Sequence, residues 1–245
     1  MNSRAIAGSA GESTPRSSAP AKTPRPSVTL RQGTYIGVVY KRRYPQYVEE
    51  FRGVPFGQST AGEGRFSPPV PIDVSNETFD ASVHGYRCPS GERDGDGFHD
   101  QDEDCLNANI MRPQKRPDRK LPVVINFYGG SFNFGSGPSR QLPNLVGWSS
   151  EPIIGVTFNY RVGALGFLPS KLTEKEGLLN VGLKDQRLLL EWVRDNIEDF
   201  GGDKNNVTLM GVSAGAHGVC LYLYFHPLSG NLDFLIMTFG LCTDD

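Results

Sequence analysis

The five residues Gly211-Val212-Ser213-Ala214-Gly215 constrain what this chain can fold into more than any other stretch. They follow an apolar run, Val207-Thr208-Leu209-Met210, and precede a helix-like run from Ala216 to Phe225. A serine with a glycine two residues to either side, where a strand turns sharply into a helix, is the nucleophile-elbow arrangement. Such a turn puts the serine in a strained backbone conformation, and the glycines let neighbouring chain pass where a Cβ would collide. The serine hydroxyl then stands at the C-terminal edge of a sheet. The helix behind it directs its amides and the positive end of its dipole at the same place. With 29 glycines in 245 residues, the five-residue match is weak taken alone. Its weight comes from the strand before, the helix after, and the rest of the chain.

From Val28 onward the pattern is β: residues 28–30, 34–40 and 47–51 read as short strands between Gly and Pro turns. Residues 106–111 and 207–212 read as strands as well. The runs at 123–128 and 153–160 read as core strands covered on both faces. Leu189, Val193 and Ile197 recur every fourth residue, with Trp192 and Phe200 beside them, so a helix is expected there, stopped by Gly201-Gly202. Residues 234–239 read as a further strand, placed beside the elbow strand as an open edge. Strand and helix alternate, which predicts an α/β fold with a mostly parallel central sheet, flanking helices and a small N-terminal β subsheet.

Composition excludes several functions. A net charge of −2 argues against nucleic acid or an acidic membrane surface as the main partner. No run of 18 apolar residues exists, so no membrane span is expected. Residues 1–27 are rich in Ser, Pro and Ala with scattered basic side chains, and are expected to be disordered, leaving 28–245 as the folded domain. That segment has no apolar core of the kind a secretory leader needs. Asp94-Gly95-Asp96 fails the calcium-loop pattern, because Phe98 stands where a ligand is required, and a solvated acidic loop is expected instead. Cys88, Cys105, Cys220 and Cys242 match no metal or redox spacing, and no metal or cofactor is expected. Cys88 and Cys105 bracket a polar loop, which leaves a disulfide between them open. Cys220, in an apolar helix-like run, reads as a buried small hydrophobe.

Acyl transfer through serine needs a nucleophile, a base oriented by an acid, and donors for the developing oxyanion. Ser213 is the candidate nucleophile. Tyr128-Gly129-Gly130-Ser131-Phe132 directly follows a core strand, where small residues let backbone amides face a ligand. The bland alternative for that stretch is a plain glycine turn.

Several blocks occur in order along the chain: 51–56 (Phe-Arg-Gly-Val-Pro-Phe), Arg65-Phe66, 103–107 (Glu-Asp-Cys-Leu-Asn), 128–132, 159–163 (Asn-Tyr-Arg-Val-Gly), 182–186 (Gly-Leu-Lys-Asp-Gln), Gly201-Gly202-Asp203 and the elbow. In these blocks the chain resembles the N-terminal portion of the type-B carboxylesterases and lipases, a group with the α/β-hydrolase fold, over residues 28 to about 239. The resemblance implies Ser213 as nucleophile and Gly130, Ser131 and Ala214 as oxyanion donors, with Ser131 in place of the family's third glycine. It implies a Cys88–Cys105 disulfide, ion pairs Arg65–Glu103 and Arg161–Asp185, and a small-molecule ester as substrate. The disulfide and the family together point to a secretory route. Val212 stands where cholinesterases carry Glu, and the loop from Cys88 to Cys105 has no tryptophan and is short and polar. Small or medium esters are therefore expected rather than choline esters or long-chain triglycerides. The family order is Ser, then Glu or Asp, then His. After Ser213 this sequence offers only His217, His226, Asp233, Asp244 and Asp245. The base and its acid are accordingly expected to be missing from these residues, leaving them inactive alone. A non-catalytic binding protein of the same fold is the alternative.

Overall fold

The structure is a computed structural model that describes residues 24–40, 44–91, 101–138, 141–225 and 233–239. A small sheet is built from β1 (Ser27–Leu30), β2 (Gly33–Ile36) and β5 (Thr78–Asp80), in the order β1-β2-β5. The large sheet contains β3 (Val38–Tyr40), β4 (Val48–Pro55), β6 (Asn107–Pro113), β7 (Leu121–Phe127), β8 (Ile154–Phe158), β9 (Gly202–Val212) and β10 (Asp233–Phe239). Its order is β10-β9-β7-β8-β6-β4-β3. The four strands from β10 to β8 run parallel, and the steps from β8 through β6 and β4 to β3 are antiparallel. The parallel half carries the elbow. Strand β10 pairs with β9 from Asp233↔Asn206 to Phe239↔Val212 and, among the described residues, ends the sheet, as expected.

One expected strand divides. Residues 34–40 become β2 and β3 in different sheets, with Gly37 between them. A Cβ at Gly37 would lie 2.5 Å from the Glu50 carbonyl oxygen, so only glycine lets the chain cross over β4 there. The described residues begin at Pro24. Arg25 donates to the carbonyls of Gly37 and Ile36 at 2.9 Å each and pairs with Asp80.

The helices are α1 (Gln141–Trp148), α2 (Gly163–Phe167), α3 (Lys171–Lys175), α4 (Val181–Asn196) and α5 (Ala214–Phe225). Helix α4 contains the expected four-residue apolar spacing. A 3₁₀ turn, Ile197–Phe200, extends it to Gly201, whose φ of 89° ends the run in the left-handed region. Leu188, Leu189, Trp192 and Val193 of α4 and Val219 and Tyr222 of α5 pack on one face of the large sheet against Phe51, Ile125, Phe127 and Phe158. The other face is covered by α1 through a smaller cluster, Val48, Met111, Leu142 and Val146. This asymmetry is why β7 alternates between buried and half-buried positions rather than being sealed on both sides.

The Cys88–Cys105 disulfide is present, with Cα atoms 5.0 Å apart and both residues buried. Cys220 is buried, as its apolar surroundings imply, but it is not a free thiol: it is disulfide-bonded, to a partner outside the described residues. The Asp94-Gly95-Asp96 loop, His99, His226 and the segment before Pro24 also lie outside them. Among the described residues no helix is long and apolar enough to cross a membrane, and no cluster of three metal-binding side chains occurs.

Candidate active site

Strand β9 delivers Ser213 to the rim of the parallel half, and α5 leaves at once. Ser213 has φ of 52°, the left-handed value that a non-glycine residue adopts only under local constraint. The constraint comes from three glycines. A Cβ at Gly211 would lie 2.5 Å from the Gly215 carbonyl carbon, and one at Gly215 would lie 2.2 Å from the Phe127 carbonyl oxygen. A Cβ at Gly129 would lie 2.6 Å from the Val212 carbonyl oxygen and 3.2 Å from Ser213 Cβ. The ends of β7 and β9 and the first turn of α5 are therefore in backbone contact, and the serine is pushed outward. Ser213 is exposed, beside Val212 at 51% exposure. Among the described residues its hydroxyl has no hydrogen-bond partner.

The loop after β7 is held just as tightly. Gly130, Ser131 and Phe132 all have positive φ, at 120°, 54° and 58°. Asn133 and Phe134 amides donate to the Gly130 carbonyl at 2.9 and 3.2 Å, and the Gly163 amide donates to the Phe132 carbonyl at 2.6 Å. The Phe132 ring lies 4.8 Å from that of Phe167 on α2. Among the described residues no backbone acceptor takes the amides of Gly130, Ser131 or Ala214, and helix α5 begins with His217 N–H on the Ser213 carbonyl at 3.1 Å. Successive backbone N–H groups left without acceptors in a tight turn are the kind of arrangement that can form an anion-binding concavity. Ala214 contributes the first amide of α5, where the helix dipole adds positive potential.

Behind the loop stand two groups that sequence reading did not connect. Tyr128 and Tyr160 stack at 4.2 Å with 12° between their planes, and each phenol donates to the other's carbonyl. A sequence signal existed: adjacent core strands each run into a tyrosine. Arg161, next to Tyr160, forms the expected ion pair with Asp185, its Nε 2.8 Å and its Nη2 2.6 Å from the carboxylate oxygens. Its backbone N–H donates to the same carboxylate at 2.9 Å, and its Nη1 to the Ser67 carbonyl at 2.8 Å. Both residues are at most 2% exposed, and burial pushes the Asp185 carboxyl upward against the pull of the guanidinium. Removing one partner from a buried pair of this kind costs about 3–5 kcal/mol. Arg65 and Glu103 also pair, through two bonds of 2.8 and 2.6 Å, nearer the surface.

His217 does not face the serine hydroxyl. It is exposed, one turn into α5, and its Nδ1 donates to the Ser213 carbonyl oxygen at 3.1 Å. A ring anchored on the backbone oxygen of the residue it would deprotonate is a helix-end contact. His84 sits elsewhere, half-buried, with Nδ1 2.8 Å from Asn109 Oδ1.

Residues 24–242 match the carboxylesterase family. The chain is 40% identical over 197 residues to secreted lipase 4 of Gibberella zeae, covering 79% of this chain and 35% of that protein. It is 34% identical to the para-nitrobenzyl esterase of Bacillus subtilis, covering 79% of this chain and 40% of that one. A solved para-nitrobenzyl esterase structure superposes with a TM-score of 0.73 at 34% identity, over 86% of this chain and 42% of the other. The chain thus spans well under half the length of these relatives. Its fold is that of the α/β-hydrolases. On matched sequence and on superposed structure alike, this chain belongs to the carboxylesterase family.

Proposed function

We propose that the chain carries the nucleophile and oxyanion donors of a serine carboxylic-ester hydrolase. The observation that supports this most is Ser213 at φ 52° with the Gly129-Gly130-Ser131 turn packed against it. In this reading Ser213 Oγ attacks the ester carbonyl carbon. The carbonyl oxygen takes up the charge and is held by the Gly130, Ser131 and Ala214 amides. The intermediate collapses, the C–O bond to the alcohol breaks, and a proton goes to the leaving oxygen. Water then attacks the acyl-enzyme and releases the acid. Three pre-aimed donors act on charge that exists only in the transition state, and removing one such donor typically costs ~10²–10³ in kcat. A serine kept at the apex of this turn favours the enzyme over a non-catalytic binding protein of the same fold.

The Ser213 proton needs a base. His217 is turned away from it, so the reading takes the imidazole and its acid from outside the described residues. Small or medium esters are the substrate class, and a secretory route agrees with the buried Cys88–Cys105 bond and with relatives named as secreted lipases.

The test is labelling with a fluorophosphonate and turnover of p-nitrophenyl acetate, on residues 1–245 and on a chain of the relatives' full length. The longer protein should hydrolyse the ester, be labelled at Ser213, and lose both properties in Ser213→Ala. Residues 1–245 should show negligible turnover, because losing a triad member costs on the order of 10⁶ in kcat. Turnover by residues 1–245 that disappears in His217→Ala would overturn the assignment of the base. An active longer protein unaffected by Ser213→Ala would overturn the nucleophile.

A further inference from the structure

The face of the large sheet that lies under α1 is divided. One part is the apolar cluster of Val48, Met111, Leu142 and Val146. The adjoining part carries Glu50 of β4, Asn109 of β6 and Thr157 of β8, on three neighbouring strands and at most 4% exposed. These side chains line a cavity of about 250 Å³, with Tyr40, Tyr44 and Asn144 among its other walls. A strand face under a helix is normally apolar, because a buried polar group short of partners costs about 1–3 kcal/mol. Here Asn109 is bonded to Gly53, His84 and Thr157, and Glu50 is paired with Arg52, so the capacity left beside the cavity is the second carboxylate oxygen of Glu50 and the Thr157 hydroxyl proton.

We infer that this cavity is a binding site for a neutral polyhydroxylated ring of monosaccharide size, on the opposite face of the sheet from α5.

Among the described residues the lining carries no net charge. Glu50 Oε2 accepts both Arg52 bonds, at 2.7 and 2.6 Å, so the two charges cancel. Burial pushes His84 below its ordinary range, which leaves its imidazole neutral at physiological pH. The hydrogen-bonding capacity left over is mixed. Among the described residues nothing reaches Glu50 Oε1, an acceptor. Thr157 Oγ1 accepts from Asn109 Nδ2 at 3.1 Å and keeps its own proton to donate. A hydroxyl both donates and accepts, so adjacent hydroxyls satisfy Glu50 and Thr157 together. An apolar ligand would leave Glu50 Oε1 and the Thr157 hydroxyl proton without a partner, a mismatch that sites of this type reject strongly. The wall is aromatic: the Tyr40 and Tyr44 rings lie 6.1 Å apart. Tyr44 is seated on α1 at Gly147, where a Cβ would come within 2.6 Å of its ring. Its phenol donates to Asn144 Oδ1 at 2.7 Å. A rigid ring face suits the C–H face of a sugar. The space corresponds to roughly eight waters, which one hexose ring and its hydroxyls occupy.

The experiment is saturation-transfer NMR with calorimetric titration on the protein, using glucose, galactose, mannose and N-acetylglucosamine as neutral probes. Glucosamine and glucuronate are the charged controls. At least one neutral sugar should bind saturably and more tightly than either control. Thr157→Val and Glu50→Gln should each weaken it about tenfold, the loss expected for one hydrogen bond to a buried or charged partner. Asn144→Trp, an exposed substitution at the mouth that leaves the polar floor intact, should abolish binding, and it serves where the buried variants do not fold. A free sugar and the terminal unit of a glycan share this chemistry. Titrating the matching trisaccharide separates them, and tighter binding by it assigns the glycan. No saturable binding by any neutral sugar, preference for a charged control, or binding unchanged in Asn144→Trp would overturn the site. None of these measurements uses an ester or Ser213, so their outcome is independent of the proposed hydrolase activity.

Discussion

Tyr128 and Tyr160 are joined twice: the Tyr128 phenol donates to the Tyr160 carbonyl at 2.7 Å, and the Tyr160 phenol to the Tyr128 carbonyl at 2.8 Å. One tyrosine directly precedes the Gly129-Gly130 turn and the other precedes the buried Arg161, so the pair ties the glycine loop to the ion pair beneath it. Each phenylalanine substitution keeps the ring and leaves one buried carbonyl unpaired. Tyr128→Phe and Tyr160→Phe should each cost about 1–3 kcal/mol. The double variant should cost less than the sum, because the two bonds close one ring of contacts. Urea denaturation of the four proteins in the cycle measures this, and strict additivity would show that the bonds are independent.

Two glycines on α5 should respond in opposite ways to alanine. Alanine favours a helix interior by about 1 kcal/mol over glycine. At Gly215 the new methyl would meet the Phe127 carbonyl oxygen at 2.2 Å, and that backbone cannot move without moving β7. At Gly218 it would meet the Gln186 side-chain amide at 2.8 Å, which can rotate away. Gly215→Ala should therefore destabilise by roughly 1–3 kcal/mol despite the propensity gain, while Gly218→Ala should be near neutral or stabilising. Equal urea midpoints for the two variants would contradict the packing described for the elbow.

The disulfide between Cys88 and Cys105 closes a loop with a sequence separation of 17. The chain entropy withheld from the unfolded state by a loop of that length is worth about 3 kcal/mol. The double variant Cys88→Ala, Cys105→Ala should lose about that much, and the parent should lose the same on reduction provided the bond at Cys220 is left intact. Thermal melts with and without reductant, compared across parent and variant, check the figure.

His84 makes stability depend on pH. Burial lowers its pKa, and Arg52 adds to this, while Asn109 and Glu50 oppose it. A histidine depressed in the folded state binds its proton more readily once unfolded. Below its ordinary value of 6.5 the unfolded chain therefore gains protons that the folded chain does not. Stability should fall as pH drops from 6.5 toward the depressed value, and the contribution should be constant above that window. His84→Gln should flatten this part of the profile. Urea midpoints at about pH 7.5 and pH 5 for parent and variant supply the measurement, and an unchanged slope would remove His84 as the cause.

What the sequence determined by itself was local. The elbow, the helix stop at Gly201 and the core runs that became β7, β8 and β9 are all written in short-range pattern, where sterics and period act over a few residues. The tertiary structure decided whatever depends on a contact between distant segments. Residues 34–40 alternate like one strand and are divided by a neighbour, Glu50, that touches Gly37. The oxidised state of Cys220 cannot be read from a helical apolar run, because a disulfide depends on where a second sulfur lies. The three short helices α1, α2 and α3 were not anticipated: elements of five to eight residues are held by what they pack on rather than by their own propensity. The exposure of Ser213 is of the same kind. Its glycine spacing permits the turn, and the approach of β7 through Gly129 and Phe127 forces it.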